Sequence, residues 1–109
     1  MKMMRGEVWW VNFTMSRGTE IQKTRPAMII SNDFSNKALR SLQVLPLTSS
    51  RLDKLYPSEA YVKIGGKHGK AKAQQIATVD KSRLGKYIGK VSEAELLDIE
   101  RAIKIQLDL

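Results

Sequence analysis

Apolar residues come in short runs of strand length along most of the chain, and only the last segment carries a helical period. Val8, Trp9, Trp10, Val11 and Phe13 make a strand with little polar alternation, which predicts cover on both faces, as in a small barrel or at a subunit contact. Core or interface packing is the expected role of both tryptophans. Residues 14–24 then read as a loop of about 11 residues, longer than a hairpin needs. Ala27–Ile30 is a strand stopped by Ser31-Asn32-Asp33, and Leu42–Leu47 is another that runs into Thr48-Ser49-Ser50. Asp33 to Arg40 between them suits a short helix capped by Asn32 or Asp33. Pro46 cannot donate to a ladder, which predicts an edge or a bulge.

The second half continues in the same style. Ala60–Ile64 alternates as a strand, Gly65–Lys70 reads as a turn with solvated lysines, and Ala71–Ile76 is the returning strand. The turn lacks phosphate-loop spacing, and His68 within it is not expected to be catalytic. Asp80 opens a single helical turn that leads to a short strand around Tyr87-Ile88. From Ser92 the pattern changes. Ser92 and Glu95 form a capping box, and Leu96, Ile99, Ile103 and Leu107 recur at 3.6-residue spacing. Glu93 and Glu95 suit the positive end of that helix's dipole. The expectation is a mainly β fold with a C-terminal helix, organised as one domain over residues 1–109.

Composition narrows the function classes. The chain has no cysteine and one histidine, which excludes disulfides, thiolate sites and a multi-histidine metal centre. No apolar segment approaches the ~20 residues of a membrane span, and residues 1–5 lack a signal-peptide core. A soluble, cytoplasmic protein that does not act at a membrane is expected. Net charge is +8. Residues 1–92 hold 17 Lys and Arg against 6 Asp and Glu, a net +11, whereas residues 93–109 hold 2 against 5, a net −3. A basic body with an acidic appendix points to a polyanionic partner, nucleic acid first.

The candidate chemistry lies between Gly18 and Ser49. Pro26 pushes Arg25 out of the α region, so Arg25 stands extended at the mouth of a strand. If the Ala27 and Leu42 strands are neighbours, Arg25 and the hydroxyls of Thr48 and Ser49 share one surface. Glu20 is the only carboxylate of the intervening loop.

Five pieces in this order resemble the MazF/PemK toxins of bacterial toxin–antitoxin pairs, ribonucleases that cut RNA without a metal. They are Arg5-Gly6-Glu7-Val8-Trp9, Gly18-Thr19-Glu20, Thr24-Arg25-Pro26 running into Ile29-Ile30-Ser31-Asn32, Leu45-Pro46-Leu47-Thr48-Ser49, and Gln75-Ile76 with Thr78-Val79-Asp80-Lys81 and Arg83-Leu84. The resemblance implies a small SH3-like barrel of five to seven strands, a homodimer with single-stranded RNA across its interface, and no cofactor or metal. It implies an acidic, partly disordered antitoxin as partner. It makes Arg25 and Thr48 the catalytic pair, with Glu20 as a weaker third. Arg17, Gly18, Thr19, Lys23, Ser49, Lys72 and Gln75 become the substrate-binding residues. The sequence departs from the family at Gln74, where several members carry an acid, and at Ala77, where many carry an arginine. A gyrase-poisoning toxin of the same fold and a non-catalytic nucleic-acid-binding barrel are the alternatives.

Metal-free cleavage uses the RNA 2′-hydroxyl as nucleophile. It needs a proton acceptor, a cation for the phosphate oxygens and a proton for the leaving 5′-oxygen. A planar guanidinium can grip two phosphate oxygens. To act as a base at pH 7 an arginine must cross about 5.5 pKa units, roughly 7.5 kcal/mol. Arg25 is therefore assigned to transition-state charge, with proton delivery second, and Thr48 to a hydrogen bond on a non-bridging oxygen.

Overall fold

The computed structural model describes residues 2–13 and 24–109. Among these, seven strands form an antiparallel sheet: β1 (Glu7–Asn12), β2 (Thr24–Ile29), β3 (Ser41–Thr48), β4 (Glu59–Ile64), β5 (Lys67–Lys72), β6 (Ala77–Asp80) and β7 (Leu84–Lys90). Two helices, α1 (Asp33–Ala38) and α2 (Glu93–Leu107), complete the fold. The strand order is β4-β5-β3-β2-β1-β7, and β6 also pairs with β3. The sheet curls into a partial barrel, and the ends of its edge strands approach each other. A Cβ on Gly89 of β7 would stand 3.0 Å from the Ile64 Cγ2 of β4.

β3 is the hub. It pairs with β2 along one side and, on the other, with β6 over residues 41–44 and with β5 at Leu47 and Thr48. Pro46 falls in the gap where that second partner changes. A residue without an N–H thus sits in a central strand at a place with no ladder bond to make. This corrects the expectation of an edge.

Alternation on the middle strands fills two cores. Val8, Met28, Leu45 and Leu47 pack with Val62, Val91 and Ile99, while Trp9, Val11, Ala27, Ile29, Leu42 and Val44 make the other. β1 is covered on both faces as its pattern predicts, except at Trp10, which is 41% exposed. Trp10 is therefore not part of this chain's core, which leaves the interface half of the expectation for it.

The β4–β5 hairpin is tighter than expected. Gly65 and Gly66 adopt φ of 58° and 81°, the paired left-handed conformation of a two-residue primed turn. Lys67 to Lys70 therefore join β5. The chain leaves the ladder after Lys72 in a 3₁₀ turn, Ala73–Gln75, instead of continuing as strand to Ile76. That turn carries the backbone over to β6.

Local caps behave as predicted. The Asn32 side chain accepts from the Ser35 amide at 2.8 Å, and Asp80 accepts from Ser82 at 2.9 Å. Hydrogen bonds from the Ser82 side chain and amide, with the Arg40 charge beside it, hold the Asp80 carboxyl down to about 2. On α2 the capping box of Ser92 and Glu95 is complete. The helix buries Ile99 and Ala102, with Leu96 and Ile103 half-buried, but Leu107 remains 48% exposed. Its acids are not a loose appendix. Glu100 meets Arg5 at 2.7 Å, and Glu95 accepts from the Lys63 amide at 2.7 Å.

Candidate active site

The register of β2 on β3 sets the site. Ala27 lies across from Pro46 and Met28 from Leu45. Carried two residues further, that register brings Arg25 opposite Thr48. Thr48 faces Lys70 on β5. Opposed residues of an antiparallel pair project to the same side, and so do residues two apart on one strand. Arg25, Thr48, Lys70 and His68 therefore share a side of the sheet.

Arg25, Thr48 and His68 line a cavity of about 320 Å³, together with Trp10, Ser49 and Lys67. That volume is at the small end of ligand pockets; it suits a base or a phosphate group and leaves the rest of a polymer outside. The Thr48 Oγ1 accepts from the Ser50 amide at 3.1 Å. A hydroxyl can accept and donate at once, so this bond aims the Thr48 side chain and leaves its hydrogen for a ligand. Among the described residues the Arg25 guanidinium has no side-chain partner. No carboxylate lines the cavity among them either. Gly69 completes the wall, since a Cβ there would meet the Thr48 carbonyl oxygen at 3.0 Å. Any side chain at that position would press on the Thr48 backbone.

A second cluster lies behind Thr48. Lys70 is 2% exposed, which corrects its reading as a solvated loop lysine. Its Nζ meets Glu59 Oε1 at 2.9 Å and donates to the carbonyls of Arg51 and Lys54, each at 2.9 Å. Burial pushes the Glu59 carboxyl up. Hydrogen bonds from Lys70, the Tyr56 amide and Gln74, with the Lys70 charge, outweigh it and hold the group below the usual carboxylate range. Gln74 donates to Glu59 at 3.3 Å and accepts from Ser58 at 3.1 Å. An acid at position 74 would set a second carboxylate against Glu59, so the departure from the family pattern fits this cluster. Arg101 closes it by donating to the carbonyls of Pro57 and Glu59. The segment after Thr48 is thereby tied to β4, β5 and α2.

The predicted site residues divide as follows. Arg25, Thr48 and Ser49 come together. Lys72 lies at the end of β5 beside a smaller cavity that also touches Thr48. Gln75 sits in the 3₁₀ turn away from both cavities, and its buried Oε1 has no partner among the described residues. Arg17, Gly18, Thr19, Glu20 and Lys23 lie outside the described residues. Two cavity residues were not expected, His68 and Trp10. The adjacent glycines at 65 and 66 were the available signal for His68, because a two-residue turn puts it on a strand. Among the described residues no three His, Asp or Glu side chains come together as a metal site, and no helix is long and apolar enough to cross a membrane.

Residues 4–107 match the family described as PemK-like, MazF-like toxin of type II toxin–antitoxin system. The chain is 37% identical to endoribonuclease MazF9 of Mycobacterium tuberculosis strain H37Rv, with 98% of each chain covered. It is 30% identical to endoribonuclease MazF of Staphylococcus epidermidis, over 96% of this chain and 91% of the other. Its fold superposes on the crystal structure of MazF from Deinococcus radiodurans with a TM-score of 0.86 at 25% identity, covering 100% of this chain and 99% of that one. A mycobacterial endoribonuclease in complex with its cognate antitoxin gives 0.83 at 26% identity, over 98% and 96%.

Proposed function

The chain belongs to the PemK-like, MazF-like toxin family, and from that premise we propose that it is an endoribonuclease toxin that cuts single-stranded RNA at the Arg25–Thr48 cavity. The observation that carries this reading is that Arg25 and Thr48 line one cavity, with the guanidinium unpartnered among the described residues. Arg25 is half-buried on the wall of that cavity.

In the reaction the RNA 2′-oxygen attacks phosphorus and the bond to the 5′-oxygen breaks, which leaves a cyclic phosphate and a 5′-hydroxyl. Arg25 neutralises the charge gathering on the non-bridging oxygens. Thr48, aimed by the Ser50 amide, adds a neutral hydrogen bond to one of them. Trp10 offers an exposed ring on the same wall for a neighbouring base to stack on.

The partners follow from the same surface. An acidic, partly disordered antitoxin segment would compete with RNA for the cationic cavity, ordering as it binds. As the family resemblance implies, we take residues 1–109 to act as one domain in a cytoplasmic homodimer. Gyrase poisoning would leave the Arg25–Thr48 pair with no task, and RNA binding without cleavage would leave Thr48 with none beyond its backbone bond.

The test is cleavage of a long single-stranded RNA in EDTA by the parent and by Arg25→Ala, with fragment ends analysed. Discrete fragments ending in cyclic phosphate are expected from the parent. Arg25→Ala should be slower by roughly 10²–10³, the scale for loss of a positioned transition-state donor. Equal rates for the two folded proteins would remove Arg25 from the centre, and intact RNA in both lanes would overturn the nuclease reading.

A further inference from the structure

We propose that His68 is the general base of the cleavage reaction, the group that takes the proton from the attacking 2′-hydroxyl; this rests on the nuclease reading above. Three observations carry it. First, the cavity needs a proton acceptor that Arg25 and Thr48 do not supply: a guanidinium stays protonated, and a neutral hydroxyl is far too weak a base to take a proton from another hydroxyl. Second, no carboxylate lines the cavity among the described residues, whereas His68 does. Histidine is the side-chain type that changes protonation between pH 5 and 8, and this is the chain's only one.

Third, the strand geometry puts His68 at a useful distance. Lys70 is directly across from Thr48, so His68, two residues along on the same side, is Thr48's diagonal neighbour. Diagonal neighbours stand roughly 7–8 Å apart, within reach of aromatic and long side chains. Arg25 is on the far side of Thr48. A phosphodiester held by Arg25 and Thr48 would then meet the imidazole at its edge. The side chain is exposed and no described residue engages it, so no structural role competes.

The step balances as follows. A neutral imidazole nitrogen takes the 2′ proton as O2′ bonds to phosphorus, and the bond from phosphorus to O5′ breaks. In-line displacement leaves O2′ and O5′ on opposite sides of phosphorus, so one imidazole cannot serve both. The leaving 5′-oxygen takes its proton from solvent on the Arg25 side, and His68 returns its own to solvent. The charged groups near His68 are Lys63, directly opposite on β4, Lys70 two residues along, Lys67 beside it and Arg25 across the cavity. All four are cations, and the carboxylate behind them, Glu59, is buried against Lys70.

The experiment follows kcat/KM against pH from 5 to 9 in EDTA. It uses an RNA oligonucleotide bearing a site mapped from the parent's own cleavage of a long transcript. The parent should rise with pH to a plateau. His68→Gln should lose about 10²–10⁴-fold at the plateau, the usual worth of a general base, and the rising limb should disappear while the Kd for RNA holds. Added imidazole should restore part of the rate to His68→Ala. A His68→Gln protein that keeps the parent's profile overturns the proposal. So does one that loses rate but keeps the limb, since His68 would then be a binding residue, and so does loss of the limb in Glu20→Gln instead. A parent that leaves RNA intact refutes the nuclease reading itself, a result separate from any of these.

Discussion

Lys67 and Lys70 stand three residues apart on β5, with the same side chain and opposite circumstances. Lys67 lines the mouth of the Arg25–Thr48 cavity and is exposed. Lys70 is sealed against Glu59, and two backbone carbonyls take its remaining protons. A buried cation with every donor satisfied is committed to the fold. An exposed one without a carboxylate partner is left for a polyanion. Thr48 borders both regions, so one strand end separates the charge that holds the protein together from the charge left at the cavity mouth.

The sharpest way to break this contrast is to remove each charge in turn. Lys70→Met leaves the Glu59 carboxylate buried and unpaired, and should cost about 3–5 kcal/mol in urea denaturation. Lys67→Met should change stability by less than ~0.5 kcal/mol. Comparable losses would show the two lysines to be equivalent. The pH dependence adds a sign. In the parent, Glu59 titrates below its ordinary value, so the pair's contribution is full above about pH 4.5 and is lost as pH falls through the lower folded value. In Lys70→Met the buried carboxylate is relieved by protonation, and mild acid should raise that variant's stability relative to neutral pH.

This pair also marks where the sequence was legible and where it was not. Most of the strands, the Asn32 and Asp80 caps, the Ser92–Glu95 box and the Arg25–Thr48 surface could be read ahead, because each rests on local chemistry or on neighbouring apolar runs. β6 (Ala77–Asp80) could not, and its residues fell between an expected strand and an expected helical turn. Lys70 could not, since its partner Glu59 lies across a hairpin and lysine's ordinary preference is for solvent. Reading Gly65–Lys70 as one long loop hid the strand pairing that sets Lys70 across from Thr48 and His68 across from Lys63. Pro46 misled for a related reason: a change of partner along β3 is a tertiary event that no single strand announces.

The adjacent tryptophans repeat the contrast on β1. Trp9 is 3% exposed, donates from its Nε1 to Glu7 at 3.0 Å and packs edge-on against Tyr87 at 5.6 Å. Trp10 is open on the cavity wall. Trp10→Ala should weaken RNA binding by about 1–3 kcal/mol, the worth of one base stacked on an aromatic ring, with the melting temperature little changed. Filter binding and thermal unfolding of the same variant check both halves. A variant that loses stability and keeps affinity would return Trp10 to a packing role.

The smallest expected effect is the most specific to the exposed lysine. Single-stranded RNA gripped by Z phosphate contacts loses affinity with salt at a log–log slope near −0.7Z, because each contact releases condensed counterion. About three contacts in the cavity give a parent slope near −2. If Lys67 makes one of them, Lys67→Met should flatten the slope by about 0.7, with only a modest loss of affinity at physiological salt. The measurement is Kd across a salt series, made in the Arg25→Ala background with RNA carrying a 2′-deoxy nucleotide at the mapped site so that it survives. Arg25 is then missing from both proteins, and the difference in slope isolates Lys67. An unchanged slope would mean that this lysine faces solvent and not RNA. A flattened slope would tie the mouth of β5 to the phosphate backbone, with the fold secured three residues further along the same strand.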